Sequence, residues 1–428
     1  MRRIIVLLAM VMTMHAIAQS TFPILSNFRI ENSQTSRVYF DSSEPITASS
    51  AKGFIISGKS ISGVTISSGR STGHYFSVTS PFNFWDNNTI RYEGGSNFKN
   101  KNGLVVSEFT LTYIKNQIAE PEGNGKIFYV STTGNDNNNG LKETTAWRTI
   151  RKAGNTAMAG DIVYIKAGNY GGENVKCSNS GTKDAPIKFI GYKSKIDDLN
   201  DYSYYKYGSG NLDGSRAPLI QSKDRKKGIG WEVSGRSYIM IKNIQIEGFE
   251  ENLLGFSSPN NIFFDNLVSA RSGEHNVMLT TIGGHHLRFT NTLSFNGMVS
   301  AFMIGGDFNA ILNCKTYADE PQKDIAMDYH VYLYGKNNIV YRHFGQHMGN
   351  LSHPGHGISL KSSGNITEFN LVENCEMNNI NGALEFRHSD VKYNVAKNFK
   401  SDGGLDQMIR EVSYSGMVQV SILLRTVW

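Results

Sequence analysis

The segments Tyr238-Ile-Met-Ile-Lys-Asn-Ile-Gln-Ile246 and Asn261-Ile-Phe-Phe-Asp-Asn-Leu267 decide the fold class. Each is a short apolar run with an Asn near its end, and Asn243 and Asn266 stand 23 residues apart. Asn is a turn residue that satisfies nearby backbone groups. Self-similarity with a period of roughly 20 to 50 residues is typical of repeat architectures. The two segments therefore predict short strands on successive coils of a solenoid.

Apolar anchors continue this spacing along the chain, 23 to 30 residues apart. They are Val233, Phe256, Leu279, Met303, Leu333, Leu360 and Phe386. A leucine-rich repeat would show a denser Leu pattern, so the irregular period favours a parallel β-helix. The fold class predicted is all-β, with these seven side chains pointing inward in one column.

The solenoid is predicted over residues 127–428, and its start carries a family signature. The strand Ile127-Phe-Tyr-Val130 is followed by Ser131-Thr-Thr-Gly-Asn-Asp-Asn-Asn-Asn-Gly140 and by a helix expected over 149–159. This pattern resembles the N-terminal cap of pectate-lyase-like right-handed parallel β-helix proteins, in which a short helix plugs the end of the solenoid. After residue 404 the pattern is lost without a polar cap. That ending indicates a truncated or frameshifted C-terminus.

Residues 22–116 have a different pattern, with short alternating segments separated by Gly, Ser and Asn. This spacing predicts a small antiparallel β-sandwich. The run Val38-Tyr-Phe-Asp-Ser-Ser-Glu-Pro-Ile46 resembles the opening of bacterial immunoglobulin-like modules. The polar stretch 117–126, which contains Pro121, is predicted to be the linker to the solenoid.

Residues 1–19 combine a basic start, an apolar run and an Ala-x-Ala motif, as a secretory signal peptide does. No later run reaches the roughly 20 apolar residues needed to cross a bilayer. The net charge of +6 is spread along the chain and forms no nucleic-acid-binding stripe. We expect a secreted monomer, periplasmic, extracellular or on the cell surface, whose partner is an acidic polysaccharide and not a nucleic acid.

The candidate site follows from strand alternation, since residues next to an inward anchor point outward. One outward column holds Tyr334, Lys361 and Arg387, and a second column on the same face holds Tyr332, Ser359 and Glu385. Nine of the eleven His residues lie between positions 275 and 388. Such a concentration is what a site on loops and strand edges would produce.

Two stretches of these coils resemble polysaccharide lyase family six, of the chondroitinase B and alginate lyase type. They are Gly357-Ile-Ser-Leu-Lys361-Ser-Ser-Gly-Asn365 and Gly382-Ala-Leu-Glu-Phe-Arg387-His388. The resemblance implies β-elimination on a uronic-acid glycan, with Lys361 as the catalytic base and Arg387 as the acid or charge-stabilising partner. His388 would lie beside the site.

Further residues are candidates for binding the substrate: Tyr332, Tyr334, His330, His356 and Arg342. The family holds calcium through two Glu that stand as Pro354 and His356 in this chain. Calcium is therefore possible but no cofactor is firmly implied, and the metal content is left open. His356, Arg387 or Arg342 could neutralise the substrate carboxylate in its place.

Three alternatives remain from the sequence. Asp324 and Asp328, with Asp307 and Asp319 one coil earlier, could form the acid and base pair of a β-helical glycoside hydrolase. His347, His353 and His356 could bind a transition metal. In a non-catalytic glycan-binding surface protein, Tyr332 and Tyr334 would stack on sugars.

Overall fold

A computed structural model describes residues 22–199, 205–279, 285–319, 327–348, 355–362, 366–380, 382–388 and 390–402, with the backbone of 409–410 and 419–422. The predicted signal peptide and most of the C-terminal segment after 402 lie outside these ranges. Among the described residues, no helix combines the length and apolar character needed to span a bilayer.

The N-terminal part is a seven-stranded sheet in the order β4-β7-β9-β1-β2-β6-β5, with a two-stranded sheet of β3 and β8. Its strands are β1 Leu25–Glu31, β2 Arg37–Ser42, β3 Ile46–Ala48, β4 Phe54–Ile56, β5 Ile61–Thr65, β6 His74–Val78, β7 Asn88–Tyr92, β8 Phe98–Asn100 and β9 Phe109–Gln117. The pairings are antiparallel except for β1 with β9. Aromatic rings fill the core, with Phe40 stacked 4.7 Å from Phe76.

The rest of the chain is a parallel β-solenoid of about eight turns with three faces, which confirms the predicted fold class. The first face consists of β10 Ile127–Val130, β11 Ile162–Lys166, β13 Ile187–Tyr192, β16 Ser237–Lys242, β19 Asn260–Asp265, β22 His285–Thr290, β25 Ala310–Leu312, β28 Ile339–Tyr341, β32 Leu371–Glu373, β36 Val395–Ser401 and β38 Gln419–Ile422. The second face consists of β14 Leu219–Gln221, β17 Gln245–Glu247, β20 Val268–Ala270, β23 Leu293–Phe295, β26 Lys315–Ala318, β29 Phe344–His347 and β33 Glu376–Asn378.

The third face carries the candidate site. Its strands are β12 Val175–Lys176, β15 Ile229–Glu232, β18 Glu251–Gly255, β21 Met278–Leu279, β24 Ser300–Gly305, β27 Tyr329–Tyr334, β30 His356–Lys361, β34 Leu384–Arg387 and β37 Ile409–Arg410. Two short strands, β31 Thr367–Glu368 and β35 Val391–Lys392, pair at the corner between the third and first faces.

Five of the seven predicted anchors are buried, and two were wrong by one residue. Gly255 pairs with Leu279, which in turn pairs with Ile304, so these residues hold the inward positions. Phe256 is 41% exposed, and Met303 packs with tyrosines on the outer surface. The apolar spacing gave the wrong residue at Phe256 because the inward residue before it is Gly255. The side chain of Leu279 fills the space that a larger residue would occupy there.

The asparagines serve two purposes in the coils. Asn243, Asn266, Asn291 and Asn313 adopt the left-handed conformation with φ of 49° to 61°, as expected of turn residues. Asn370 does not belong to that set. Its side chain lies in a buried ladder, where it accepts a hydrogen bond of 2.8 Å from the Asn338 backbone N–H. Such ladders satisfy backbone groups inside the solenoid.

One helix, α1 Ile150–Thr156, lies at the start of the solenoid. Thr149 caps it by accepting a hydrogen bond of 3.1 Å from the Lys152 N–H. Ile150 and Ala153 are buried against the first coils. The helix ends three residues before the predicted limit of 159, because Ala157 has an extended backbone.

The two parts of the chain pack against each other through Arg288 of β22. Its guanidinium is buried and donates to the Phe84 carbonyl at 2.6 Å and to the Asp86 carbonyl at 2.9 Å. The stretch predicted as a linker runs along the solenoid, where Glu120 pairs with Lys242 at 2.7 Å. The N-terminal sheets are therefore fixed over the first face.

Candidate functional site

The last described coils bring the predicted columns together on the third face. Lys361 on β30 pairs in register with Arg387 on β34, as predicted. Tyr332, Ser359 and Glu385 form the neighbouring column across β27, β30 and β34. The sheet therefore places a lysine and an arginine beside a carboxylate on one outer surface.

Glu385 lies at the centre of this surface, and its side chain is only 1% exposed. The Ser359 hydroxyl donates to one carboxylate oxygen, and His356 Nδ1 lies 2.7 Å from the other. A buried carboxylate needs such partners. Because an ionised carboxylate only accepts, it favours a proton on Nδ1. His356 Nε2 then faces Asp328, whose carboxylate lies 3.9 Å away.

Tyr329 completes the cluster, and the sequence analysis did not identify it. Its ring stacks on that of His356 at 5.0 Å, and its hydroxyl lies 3.3 Å from Lys361 Nζ. Lys361 Nζ also lies 5.5 Å from the ring centroids of both Tyr329 and Tyr332. Two aromatic rings therefore position the Lys361 amino group.

Regular alternation, counted back from the inward Leu333, would point His330 outward and Tyr329 inward. The alternation breaks at His330 and Val331, which are both fully buried. Tyr329 therefore joins the outer cluster with Tyr332 and Tyr334. Only its pairing with His356 in the next coil would have given a signal.

The predicted substrate-binding role of His330 is wrong, since its ring lies inside the solenoid. Its Nδ1 lies 2.8 Å from the Thr316 hydroxyl, which also contacts His343 Nε2 at 3.0 Å. Burial lowers the pKa of His330 well below its usual range and that of His343 to about 3. Both rings are therefore neutral core residues at physiological pH.

These buried histidines predict a pH-dependent stability. In the unfolded chain His343 titrates near its ordinary pKa of 6.5, and in the folded protein near about 3. The unfolded state therefore binds the extra proton between these values, and stability is lost as the pH falls. His343→Gln should reduce the pH dependence of the unfolding free energy below pH 6.5 by about 1.4 kcal/mol per pH unit. Urea unfolding at pH 7, 6 and 5 measures the free energy of unfolding of both proteins. If this free energy changed equally with pH in the wild type and in His343→Gln, the assignment of His343 as a buried neutral residue would be contradicted.

The other predicted binding residues occupy different places. Arg342 lies at the corner between the first and second faces, over the ring of Tyr341, so it does not reach this cluster. Tyr332 and Tyr334 were predicted to stack on sugars, but they are only 7% and 8% exposed, so little of either ring is accessible to a ligand. His388 directly follows Arg387, is exposed, and has a φ of 81° at the end of the strand.

The predicted histidine metal site is not formed by its described members. His347 is buried in the solenoid, whereas His356 lies on the outer surface. His353 lies outside the described residues, as do Pro354 and Asp324. The aspartates one coil earlier are also apart, because Asp307 accepts from the Lys336 N–H at one corner and Asp319 contacts Asn296 at another.

The residues present do not fit the calcium ion that the resemblance implies near His356. Calcium takes oxygen ligands, and here an imidazole contacts the nearby Glu385 carboxylate. Elsewhere on the third face, ligand atoms of Glu251, Glu274 and His275 lie within 4.8 Å of one another. His275 Nδ1 is 2.9 Å from Glu251, the pKa of which is raised by burial.

No family model matches this chain. The uncharacterized protein YwoF of Bacillus subtilis (strain 168) is 36% identical over 92 residues. That match covers 21% of this chain and 19% of YwoF, so the chain spans about a fifth of the length of this relative.

Among solved structures, a pectate lyase is similar with 16% identity and a TM-score of 0.41, over 70% of this chain and 62% of that one. An alginate lyase from Paenibacillus sp. str. FPU-7 has 10% identity and a TM-score of 0.40, over 65% of this chain and 96% of that one. A lacto-N-biosidase from Eubacterium ramulus has 10% identity and a TM-score of 0.40, over 70% and 68%. Likenesses of this degree assign no role to any residue.

Proposed function

We propose that this chain is a secreted polysaccharide lyase that cleaves a uronic-acid glycan by β-elimination. The observation that carries the proposal is the position of Lys361, held over two tyrosine rings and paired in register with Arg387. In this proposal Lys361 is the base, Arg387 is the cation and Tyr329 is the hydroxyl donor, on three adjacent strands of the third face. The reaction needs these three functions.

In the proposed reaction, neutral Lys361 removes the proton from the carbon next to the uronate carboxylate. The electron pair left on that carbon forms a double bond to the neighbouring carbon, and the bond from that neighbour to the glycosidic oxygen breaks. Arg387 binds the carboxylate and stabilises the charge that develops on it. The Tyr329 hydroxyl, which lies 3.3 Å from Lys361 Nζ, donates a proton to the leaving oxygen.

His356 and Glu385 support this arrangement. The imidazole stacks on Tyr329 and is fixed by the buried carboxylate, so the phenol keeps one orientation. His388 follows Arg387 directly and is exposed at the end of the strand, so in this proposal it lies beside the site.

Incubation with alginate, polygalacturonate and chondroitin sulfate tests the function. Elimination leaves a double bond conjugated with the carboxylate, so we expect a rise in ultraviolet absorbance with one of the polymers. New reducing ends without that absorbance would contradict elimination and favour a hydrolase. Binding without either product would favour a non-catalytic glycan-binding protein.

Calcium removal should leave this activity largely intact. The reason is that His356 and Pro354 stand where the family has calcium-binding carboxylates. We expect turnover in excess EGTA to stay within about twofold of turnover in added calcium. A complete loss that calcium alone restores would contradict the prediction and direct attention to Glu251, Glu274 and His275.

A further inference from the structure

A cleft of about 910 Å³ lies between the N-terminal sheets and the last coils of the solenoid. One wall comes from β7 and β9 with their flanking residues, and the other from the ends of β31 and β35 and from β36. It lies around the corner from the cluster on the third face. The residues that line it are Arg91, Tyr92, Glu93, Glu108, Phe109, Thr110, Leu111, Phe369, Tyr393, Val395 and Lys397.

Two rings form the aromatic part of this cleft. Phe369 and Tyr393 are stacked at 5.4 Å with an interplanar angle of 10°, and Tyr393 is 46% exposed. The guanidinium of Arg91 lies 5.0 Å from the Phe369 ring centroid. A large amphipathic ring left half open beside polar groups is a common feature of binding surfaces.

The backbone makes these two rings unusual. They belong to a corner column in which φ lies between 51° and 59°: Tyr238, Asn261, His286, Phe308, Asn337, Phe369 and Tyr393. Asn is ordinary in that left-handed conformation, whereas a bulky residue there is an outlier. An aromatic residue in this column therefore needs a packing contact or hydrogen bond that offsets the strain of its left-handed backbone.

Earlier aromatic members of the column obtain that contact from the N-terminal part. The Tyr238 ring packs 5.5 Å from Trp85, and the Phe308 carbonyl accepts from the Asn87 side chain at 2.9 Å. Arg91 covers Phe369 in the same way. Tyr393 lies one coil further on than Phe369. Its ring lines the open cleft and is partly exposed.

The charges of the cleft indicate which ligand it would accept. Its two cations are already paired, Arg91 with Glu93 at 3.2 Å and Lys397 with Glu373 at 3.3 Å. Glu108 adds a further exposed carboxylate. Lys392 approaches the Tyr393 ring at 5.8 Å but does not line the cleft. An anionic sugar would face the carboxylates of Glu93 and Glu108, which line the cleft, whereas sugar hydroxyl groups can bond to the paired charges.

We infer that this cleft is a second carbohydrate site, which binds neutral pyranose units against Tyr393 and Phe369. It does not depend on the proposed elimination reaction. Such a site would hold neutral portions of a glycan while the third face acts on acidic ones.

Isothermal titration of the full chain with cellohexaose, xylohexaose, mannohexaose and hexagalacturonate tests the inference. We expect at least one neutral hexasaccharide to bind with a Kd below about 1 mM. Tyr393→Asn should weaken that binding at least tenfold, while Tyr393→Phe should retain it. Asn fits the backbone because Asn261 and Asn337 hold equivalent positions in the column.

Several outcomes would overturn the inference. The first is that no neutral hexasaccharide binds at concentrations up to about 10 mM. The second is that hexagalacturonate binds more tightly than the neutral sugars and loses its binding in Tyr393→Asn. The third is that the wild type and Tyr393→Asn bind the neutral sugars equally well. An unchanged melting temperature of Tyr393→Asn shows that the variant is folded. Because binding is measured directly, an absence of lyase activity would leave the result intact.

Discussion

Replacement of Lys361 by alanine is expected to lower turnover by a factor on the order of 100 or more, since the variant lacks the proposed base. Initial rates of product absorbance on the preferred polymer measure the effect. The side chain also rests on the rings of Tyr329 and Tyr332, but such contacts contribute only about 1 kcal/mol. The melting temperature should therefore change little.

Two further variants define the role of this lysine. Lys361→Arg should not restore turnover, because a guanidinium stays protonated at any working pH. Lys336→Ala is a matched control, since Lys336 is a solenoid lysine paired with Glu368 at 2.9 Å at the corner beyond the site. Its turnover should stay within about twofold of wild type. A fully active Lys361→Ala protein would rule out the mechanism and leave Tyr329 and His356 as candidate bases.

The fold was predictable because its signals are repeated. A period of 23 to 30 residues with Asn at the turns recurs over several coils, so an error at one anchor does not affect the others. The errors at Phe256 and Met303 arose where one coil places Gly255 inward and where the coil two turns later has Met303 next to the inward Ile304. The strand pairings in the structure were needed to identify which residue of each of these two coils points inward.

The site was predictable only as far as regular alternation holds. Lys361 and Arg387 lie on regular strands, and their pairing follows from the coil period. His330 was named as a substrate-binding candidate and Tyr329 was missed, whereas in the structure both His330 and Val331 turn inward. No local pattern marks this irregularity, and the polar partner of the buried His330 ring is Thr316, which is 14 residues away in the sequence.

The cleft beside Tyr393 was beyond the reach of the sequence for a different reason. Its walls come from strands about 280 residues apart, such as those of Thr112 and Lys397, which share a hydrogen bond of 2.8 Å. Nothing in the spacing of either part indicates that they meet. The alternation of residues and the period of the coils predict which residues of neighbouring coils meet. The contact between the N-terminal sheets and the solenoid depends instead on how the surfaces of the two parts fit together.

The buried carboxylate gives the other prediction of large effect. Glu385→Gln keeps the size of the side chain, but the amide has one acceptor where the carboxylate has two. The amide can still accept from Ser359, but its NH₂ group then faces His356 Nδ1 and favours the opposite tautomer. We expect turnover to fall by a factor on the order of 10 to 100, as when an orienting partner is removed. Rates across a pH series should also show a displaced profile.

Ser359→Ala separates this positioning role from a structural one. It removes the hydroxyl that donates to Glu385 but leaves the contact of 2.7 Å between the carboxylate and His356 Nδ1. Its turnover should fall by less than about threefold, with an unchanged pH profile. If Ser359→Ala and Glu385→Gln lost activity equally, or if both melted at lower temperature with the wild-type pH profile, Glu385 would serve only the packing of the third face. A selective effect of Glu385→Gln would instead show that the orientation of His356 matters to the reaction beside Tyr329 and Lys361.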